Sequence, residues 1–213
     1  MTRPAGRVFC LAKNYAAHAR EMHSEAPAAP VVFMKPASSL VPPGTRIRFP
    51  GHGTELHHEV EIVLRIGVGG RQISTEHALS HIDAVTVGLD LTLRDIQRDL
   101  KAAGLPWEVC KAFDQSAPVG EFLPITGPTD LDDIEFGCWV NGTVRQRGHT
   151  RNMIFPADVL VAHLSRIWTL EPGDLIVTGT PEGVGPLAAG DRIEVEASGI
   201  GEFTWEIAPA EPR

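Results

Sequence analysis

Apolar positions along the chain fall mostly in short runs and alternations broken by Gly and Pro, a pattern that predicts strands joined by turns rather than long helices. Residues 8–11 and 31–34 read as short apolar strands, with a polar helical stretch at 14–22 and an Ala/Pro-rich connection at 23–30 between them. Pro42-Pro43-Gly44 marks a turn before a strand at 47–49. Residues 55–66 alternate and then turn apolar, which predicts one longer strand ended by Gly67-Val68-Gly69-Gly70. A short helix at 74–81 and a strand at 84–91 follow. Thr92-Leu93-Arg94-Asp95 has the Thr-x-x-Asp form that can cap a helix start. Ile96, Leu100 and Ala103 then recur at helical spacing until Gly104-Leu105-Pro106.

Asn141-Gly142, flanked by strands at 136–140 and 143–147, is the strongest hairpin signal in the chain. Pro156 suits the first position of a helix running to 167. Glu171-Pro172-Gly173-Asp174 turns into a strand at 175–178, and strands at 192–196 and 202–207 follow. With no internal repeat or linker, residues 1–213 are expected to form one α+β, mostly β domain. The strands should be mostly antiparallel with three or four short helices, and residues 1–30 supply an N-terminal strand and a helix suited to act as a lid.

Composition narrows the function classes. Gly and Pro make up about 18% of the chain against a usual roughly 12%, in keeping with many turns. The net charge of −8 argues against a diffuse basic face for nucleic acid, so an anionic ligand needs a few locally placed cations. No apolar stretch approaches the roughly 20 residues of a membrane span. Cys10, Cys110 and Cys138 are odd in number and lack a C-x-x-C spacing, which suits free thiols in a reducing, cytoplasmic setting.

Candidate chemistry centres on His57-His58-Glu59-Val60-Glu61. In a strand, Glu59 and Glu61 share a face while Val60, Ile62 and Leu64 take the other. A solvated acidic face is the simplest account of that pair. Asp90 changes the picture, because nearly all its neighbours are apolar and a buried ionised carboxylate is costly unless paired or metal-bound. Three carboxylates make a hard oxygen site suited to Mg²⁺, Mn²⁺ or Ca²⁺. His57 shares the strand face and would allow a mixed site, and a turn or cap role remains open for Asp90.

The motifs resemble, in order and spacing, those of small members of the fumarylacetoacetate hydrolase family, of the type comprising acylpyruvate hydrolases and oxaloacetate decarboxylases. They begin with Lys13-Asn14-Tyr15-Ala16-Ala17-His18 with Glu21-Met22, then Phe33-Met34-Lys35-Pro36-Ala37-Ser38, His58-Glu59-Val60-Glu61 and the run from Leu89 to Gln97. Gly104-Leu105-Pro106-Trp107, Lys111-Ala112-Phe113-Asp114, Met153-Ile154-Phe155 and the run from Thr178 to Gly185 complete the set. Ala12 stands where a glycine is common in the family, and Leu93 replaces a small residue; neither touches a charged group, and both bear on pocket shape and so on substrate rather than on the charged set.

The resemblance implies a mixed β-roll with short peripheral helices, usually a homodimer, and a divalent metal (Mg²⁺ or Mn²⁺, with Ca²⁺ compatible) on Glu59, Glu61 and Asp90. It assigns His18 and Glu21 to a water-activating dyad; without it, they read as an ordinary surface pair. Lys111 matches a lysine that contacts the substrate or its enolate, and a salt bridge to the metal-binding carboxylates is compatible with that. Arg94 and Gln97 match substrate-contacting positions, with a surface pair of Arg94 and Asp99 as the plain alternative. Gly179 and Thr180 match a loop that holds the distal carboxylate, and Lys13 is a further candidate for anion binding. The expected activity is hydrolysis of a C–C bond in an acylpyruvate-type 2,4-dioxo acid such as fumarylpyruvate. Oxaloacetate decarboxylation, an isomerase/decarboxylase of aromatic catabolism, and a metal-stabilised binding protein without turnover are the alternatives.

Overall fold

The structure is a computed structural model and describes residues 6–125 and 131–209. The outermost residues of the expected 1–213 domain, including the first five of the 1–30 segment, lie outside the described residues. Two apolar runs far apart in sequence, Arg7–Ala12 and Leu175–Val177, pair in parallel inside a six-stranded sheet. Val60–Ile66 pairs antiparallel with Leu175–Val177 and with Ile82–Leu89, while Val31–Pro36 and Leu123–Pro124 form the edges. Both faces of this sheet are covered, as runs apolar at every position require. Phe9, Leu11, Ile62, Leu64 and Ile176 face the main core, and Val8, Cys10, Val63, Leu175 and Val177 face a smaller apolar cluster.

A second sheet of five strands closes the main core from the other side. Its order is Thr143–His149, Glu135–Val140, Arg192–Ala197, Gly201–Ala208 and Arg46–Arg48, and its inward positions include Phe136, Cys138, Val195 and Trp205. Asn141 and Gly142 sit at φ +52° and +75°, the left-handed pair that a tight hairpin turn needs. Short helices at Ala16–Glu21, Thr75–Ala78, Arg94–Ala103, Glu108–Lys111 and Ala157–Ile167 decorate the sheets, five among the described residues where three or four are expected, the single turn at Glu108–Lys111 being too short to leave a periodic signal. No helix among the described residues is long and apolar enough to cross a membrane. The mostly β, mixed-sheet class is as the sequence predicts.

Three local expectations are corrected. Residues 55–66 are two strands, Leu56–His58 and Val60–Ile66, which belong to different sheets. Glu59 is the residue at the break. The Thr92/Asp95 capping box does not form, because Thr92 is paired in a strand with His57 and its hydroxyl donates to the Asp90 carbonyl. The helix begins at Arg94, and the Asp95 carboxylate instead accepts from the backbone and hydroxyl of Thr54. The helix expected at 14–22 starts only at Ala16, since the Asn14 side chain is committed to Thr178 and Phe155.

Candidate active site

The site is built where the sheets meet. Glu61 lies inside Val60–Ile66, and Asp90 follows the last residue of Ile82–Leu89, its N–H donating to the Glu59 carbonyl at 2.8 Å. Glu59, Glu61 and Asp90 are all buried, and one carboxylate oxygen from each lies within 4.8 Å of the others. The solvated acidic face weighed for the glutamates is therefore not what forms. His57 is not among these clustered donors, so the donor set is all oxygen.

Buried cations pair with two of the carboxylates, Glu59 and Asp90. Lys111 Nζ donates to Glu59 Oε2 at 2.8 Å and to Asp90 Oδ2 at 2.6 Å. Lys35 Nζ lies 2.8 Å from Asp90 Oδ1 and donates to the carbonyls of Leu91, Ser116 and Lys111. Arg94 pairs with Glu59 Oε1 and donates to Gln97 Oε1 at 2.7 Å; it turns toward these two rather than toward Asp99. Burial alone would raise the Glu59 carboxyl, but the charges of Lys111 and Arg94 outweigh it and hold that carboxyl well below the usual range. Burial would likewise lower the Lys111 ammonium, and the carboxylates of Asp90 and Glu59 push it up instead.

Glu61 is the exception. No basic side chain among the described residues pairs with it, and only the Gly179 N–H donates to its Oε2. Burial, with the charges of Asp90 and Glu59, pushes its carboxyl well above the ordinary value. A buried carboxylate short of a cation, beside two more that share an open focus, fits a hard divalent ion.

The remaining candidates converge on the same cleft, about 420 Å³ including the space open at its mouth. His18, buried on the short helix, places Nδ1 3.0 Å from Glu21 Oε2, and Glu21 Oε1 accepts from the Gly183 N–H at 2.9 Å. His18, Lys111, Thr180, Gln97 and Lys13 line the cleft together with the carboxylates. Glu21, Arg94 and Gly179 stand one layer back, each holding a lining residue. Gly179 sits at φ +102°, where a Cβ would come within 2.6 Å of Asn14, so the loop closes tightly on the first strand's end. Larger hollows elsewhere, such as the one beside Trp139 and Arg147, gather no such set of buried charges.

Four further residues at the site have no role in the sequence reading, although Lys35 and Trp107 fall within its motifs. Lys35 sits in an apolar strand, and its signal was an ammonium where a hydrophobe belongs. Gln146 is buried in a strand whose neighbours are mostly exposed, and nothing in the pattern marks it. Lys101 and Trp107 line the cleft mouth, the ammonium 5.5 Å from the ring centre.

Known proteins resemble this chain along nearly its full length. The family model for the fumarylacetoacetate (FAA) hydrolase C-terminal domain matches residues 7–208. An oxaloacetate tautomerase of Escherichia coli is 43% identical over 197 residues, 92% of this chain and 90% of that protein. A mitochondrial oxaloacetate decarboxylase of Dictyostelium discoideum is 41% identical over 195 residues, 91% of this chain and 89% of that protein. The crystal structure of fumarylpyruvate hydrolase from Pseudomonas aeruginosa in complex with Mn²⁺ and pyruvate superposes with a TM-score of 0.93 at 39% identity, covering 98% of this chain and 91% of that one.

Proposed function

The chain belongs to the fumarylacetoacetate hydrolase family, and from that premise we propose that it is a divalent-metal-dependent hydrolase that splits a C–C bond in an acylpyruvate-type 2,4-dioxo acid, for example fumarylpyruvate, to pyruvate and a carboxylic acid. The observation that carries this reading is that His18, held by Glu21, lines the same cleft as three buried carboxylates. Glu59, Glu61 and Asp90 would hold Mg²⁺ or Mn²⁺, which supplies Lewis acidity toward a 2-oxo acid.

The protein's own groups divide the remaining work. The Glu21 carboxylate accepts from His18 Nδ1, which leaves Nε2 free of its proton and able to take one from water. The water oxygen adds to the acyl carbon, the C–C bond breaks, and its electron pair goes to the carbon that becomes the methyl of pyruvate after protonation. The Lys111 ammonium, fixed between Glu59 and Asp90, places a positive charge at the cleft floor where oxygen charge develops. Lys13 and Lys101 line the cleft without an ion pair to any described residue. Desolvation and the charges of Arg94 and Lys13 lower the Lys101 ammonium, so a second substrate carboxylate would be welcome there. That favours fumarylpyruvate over acetylpyruvate.

The names of the similar proteins favour a second reading, oxaloacetate decarboxylation or isomerisation in the same cleft. Purified protein with Mg²⁺ is to be assayed against acetylpyruvate, fumarylpyruvate and oxaloacetate, each with a chelated control. Metal-dependent loss of the diketone absorbance with pyruvate formed, and its collapse in His18→Ala, is the expected result. Pyruvate from oxaloacetate alone, unaffected in His18→Ala, replaces the hydrolase with the second reading. A chelator-sensitive melting temperature with no turnover leaves a binding protein. A homodimer belongs to the same proposal, supported by Val31 and Met34 exposed on the edge strand Val31–Pro36, and sedimentation checks it. So does a cytoplasmic location, which suits three unpaired, buried thiols.

A further inference from the structure

Gln146 belongs to the five-stranded sheet, yet its side chain is 1% exposed and reaches the site. The register of Thr143–His149 against Glu135–Val140 jumps between Cys138 and Trp139, which leaves Arg145 as an extra residue immediately before Gln146. Such a bulge re-aims the side chain that follows it. The Arg145 carbonyl pushes against Gly183, where a Cβ would come within 2.3 Å, so the bulge and the loop after Thr180 fit only because that position is glycine at φ +94°.

All four hydrogen-bonding positions of the Gln146 amide are used. Oε1 accepts from His58 Nδ1 at 2.9 Å and from the Val60 N–H at 3.0 Å, the residues on either side of Glu59. Nε2 donates to Thr180 Oγ1 at 2.8 Å and to the Pro181 carbonyl at 2.9 Å. Two of these partners leave no choice of amide orientation, because the Val60 N–H can only donate and the Pro181 carbonyl can only accept. Thr180 Oγ1 therefore accepts from Gln146, and its own proton is left to point elsewhere. Thr180 lines the cleft.

We infer that Gln146 is a positioning residue with two separable duties: its oxygen pins the strand break that aims Glu59, and its nitrogen orients the Thr180 hydroxyl as a donor to the substrate. The second duty rests on the proposed reading of the cleft as a 2-oxo acid site. A polar partner that orients a first-contact group without touching the ligand typically changes affinity by about 10- to 100-fold when lost.

The test uses Gln146→Met, Gln146→Glu, Thr180→Val and the Gln146→Met/Thr180→Val double variant. Each is titrated with Mn²⁺ alone and then, Mn²⁺-loaded, with 2-oxoglutarate, a 2-oxo dicarboxylate that the proposed hydrolysis does not cleave. Gln146→Met is expected to weaken both Mn²⁺ and 2-oxoglutarate by about tenfold. Gln146→Glu keeps an oxygen toward Val60 but replaces the donor toward Thr180, so it should keep Mn²⁺ affinity and lose 2-oxoglutarate affinity. Thr180→Val should weaken 2-oxoglutarate alone, and the double variant should be no worse than Gln146→Met for that ligand. A merely structural Gln146 would lower the melting temperature while both affinities stay within about twofold of the parent, and that result overturns the inference. So does additivity in the double variant. If the parent protein binds 2-oxoglutarate and Gln146→Glu binds it equally, the inference alone falls. If the parent binds none, the reading of the cleft falls with it.

Discussion

Two cation–carboxylate pairs at one distance, one in the five-stranded sheet and one beside the six-stranded sheet, occupy opposite settings. In the five-stranded sheet, Arg46 meets Glu206 at 2.8 Å across the Arg46–Arg48 and Gly201–Ala208 ladder, with side chains 65% and 46% exposed. At the end of the six-stranded sheet, Lys111 meets Glu59 at the same distance with side chains 4% and 6% exposed. Distance alone makes these contacts equivalent. Exposed pairs are worth about 0–1 kcal/mol and answer to solubility, whereas a buried pair must repay the desolvation of both ions. Burial thus separates ornament from apparatus. Three buried cations, Lys35, Lys111 and Arg94, match the three carboxylates in number but all pair with Glu59 and Asp90, so Glu61 is left for a metal ion at the shared focus to partner.

Breaking the inner set should have the largest effect. Glu59→Gln removes one metal donor and strips Arg94 and Lys111 of a shared partner; metal-dependent turnover should fall on the order of a thousandfold or more. Steady-state rates with saturating Mg²⁺ check this, and retained turnover would contradict the assigned donor set. Lys35→Met should come next. It leaves three carbonyls and one Asp90 oxygen without their ammonium and should cost about 3–5 kcal/mol in denaturant unfolding.

A pH series sharpens the comparison at Glu61. Its carboxyl is raised above the ordinary value of about 4.3, so in the window between the two values the metal-free native protein keeps a proton that the unfolded chain has released. Native protein then binds more protons than unfolded chain, and the stability of the metal-free form should fall as pH rises through that window. Mn²⁺ must displace the same proton, so its affinity should climb by up to about tenfold per pH unit there. Glu59, held low by its cations, titrates below the window and adds no slope. Calorimetric Mn²⁺ titrations between roughly pH 5 and 8 would show a flat affinity if Glu61 carried no such proton. The smallest effect belongs to the outer sheet: Arg46→Ala should cost under about 1 kcal/mol and leave turnover unchanged.

What the sequence made legible was local. Asn141-Gly142, the Gly104 stop and the apolar runs at 8–11 and 175–178 each announce a backbone state through their own residue types, and each formed close to its place. Family motifs marked most of the residues that line the cleft, among them His18, Lys111 and Thr180. The break at Glu59 was not legible, because residues 55–66 read as one strand that alternates and then turns apolar, and only pairing with two different sheets interrupts it. Gln146 was hidden for a related reason. Its partners lie 86 to 88 positions upstream and 34 or 35 downstream, and no window of neighbouring residues contains them. Lys35 left a trace, a charged residue in an apolar strand, that can be recognised once Asp90 is known to stand opposite.

The parallel pairing of Arg7–Ala12 with Leu175–Val177 also sets a timetable. Val8 stands in register with Leu175, and Arg7 reaches Asp174 across 167 positions, so the middle of the six-stranded sheet stays vacant until Leu175–Val177 has been made. Closing so long a loop is entropically costly and slow compared with forming a hairpin such as the one at Asn141-Gly142. Gly179 and Thr180 arrive only with that closing strand. Until Leu175–Val177 docks, a nascent chain therefore carries Glu59, Glu61 and Asp90 without the amide and hydroxyl that complete the cleft.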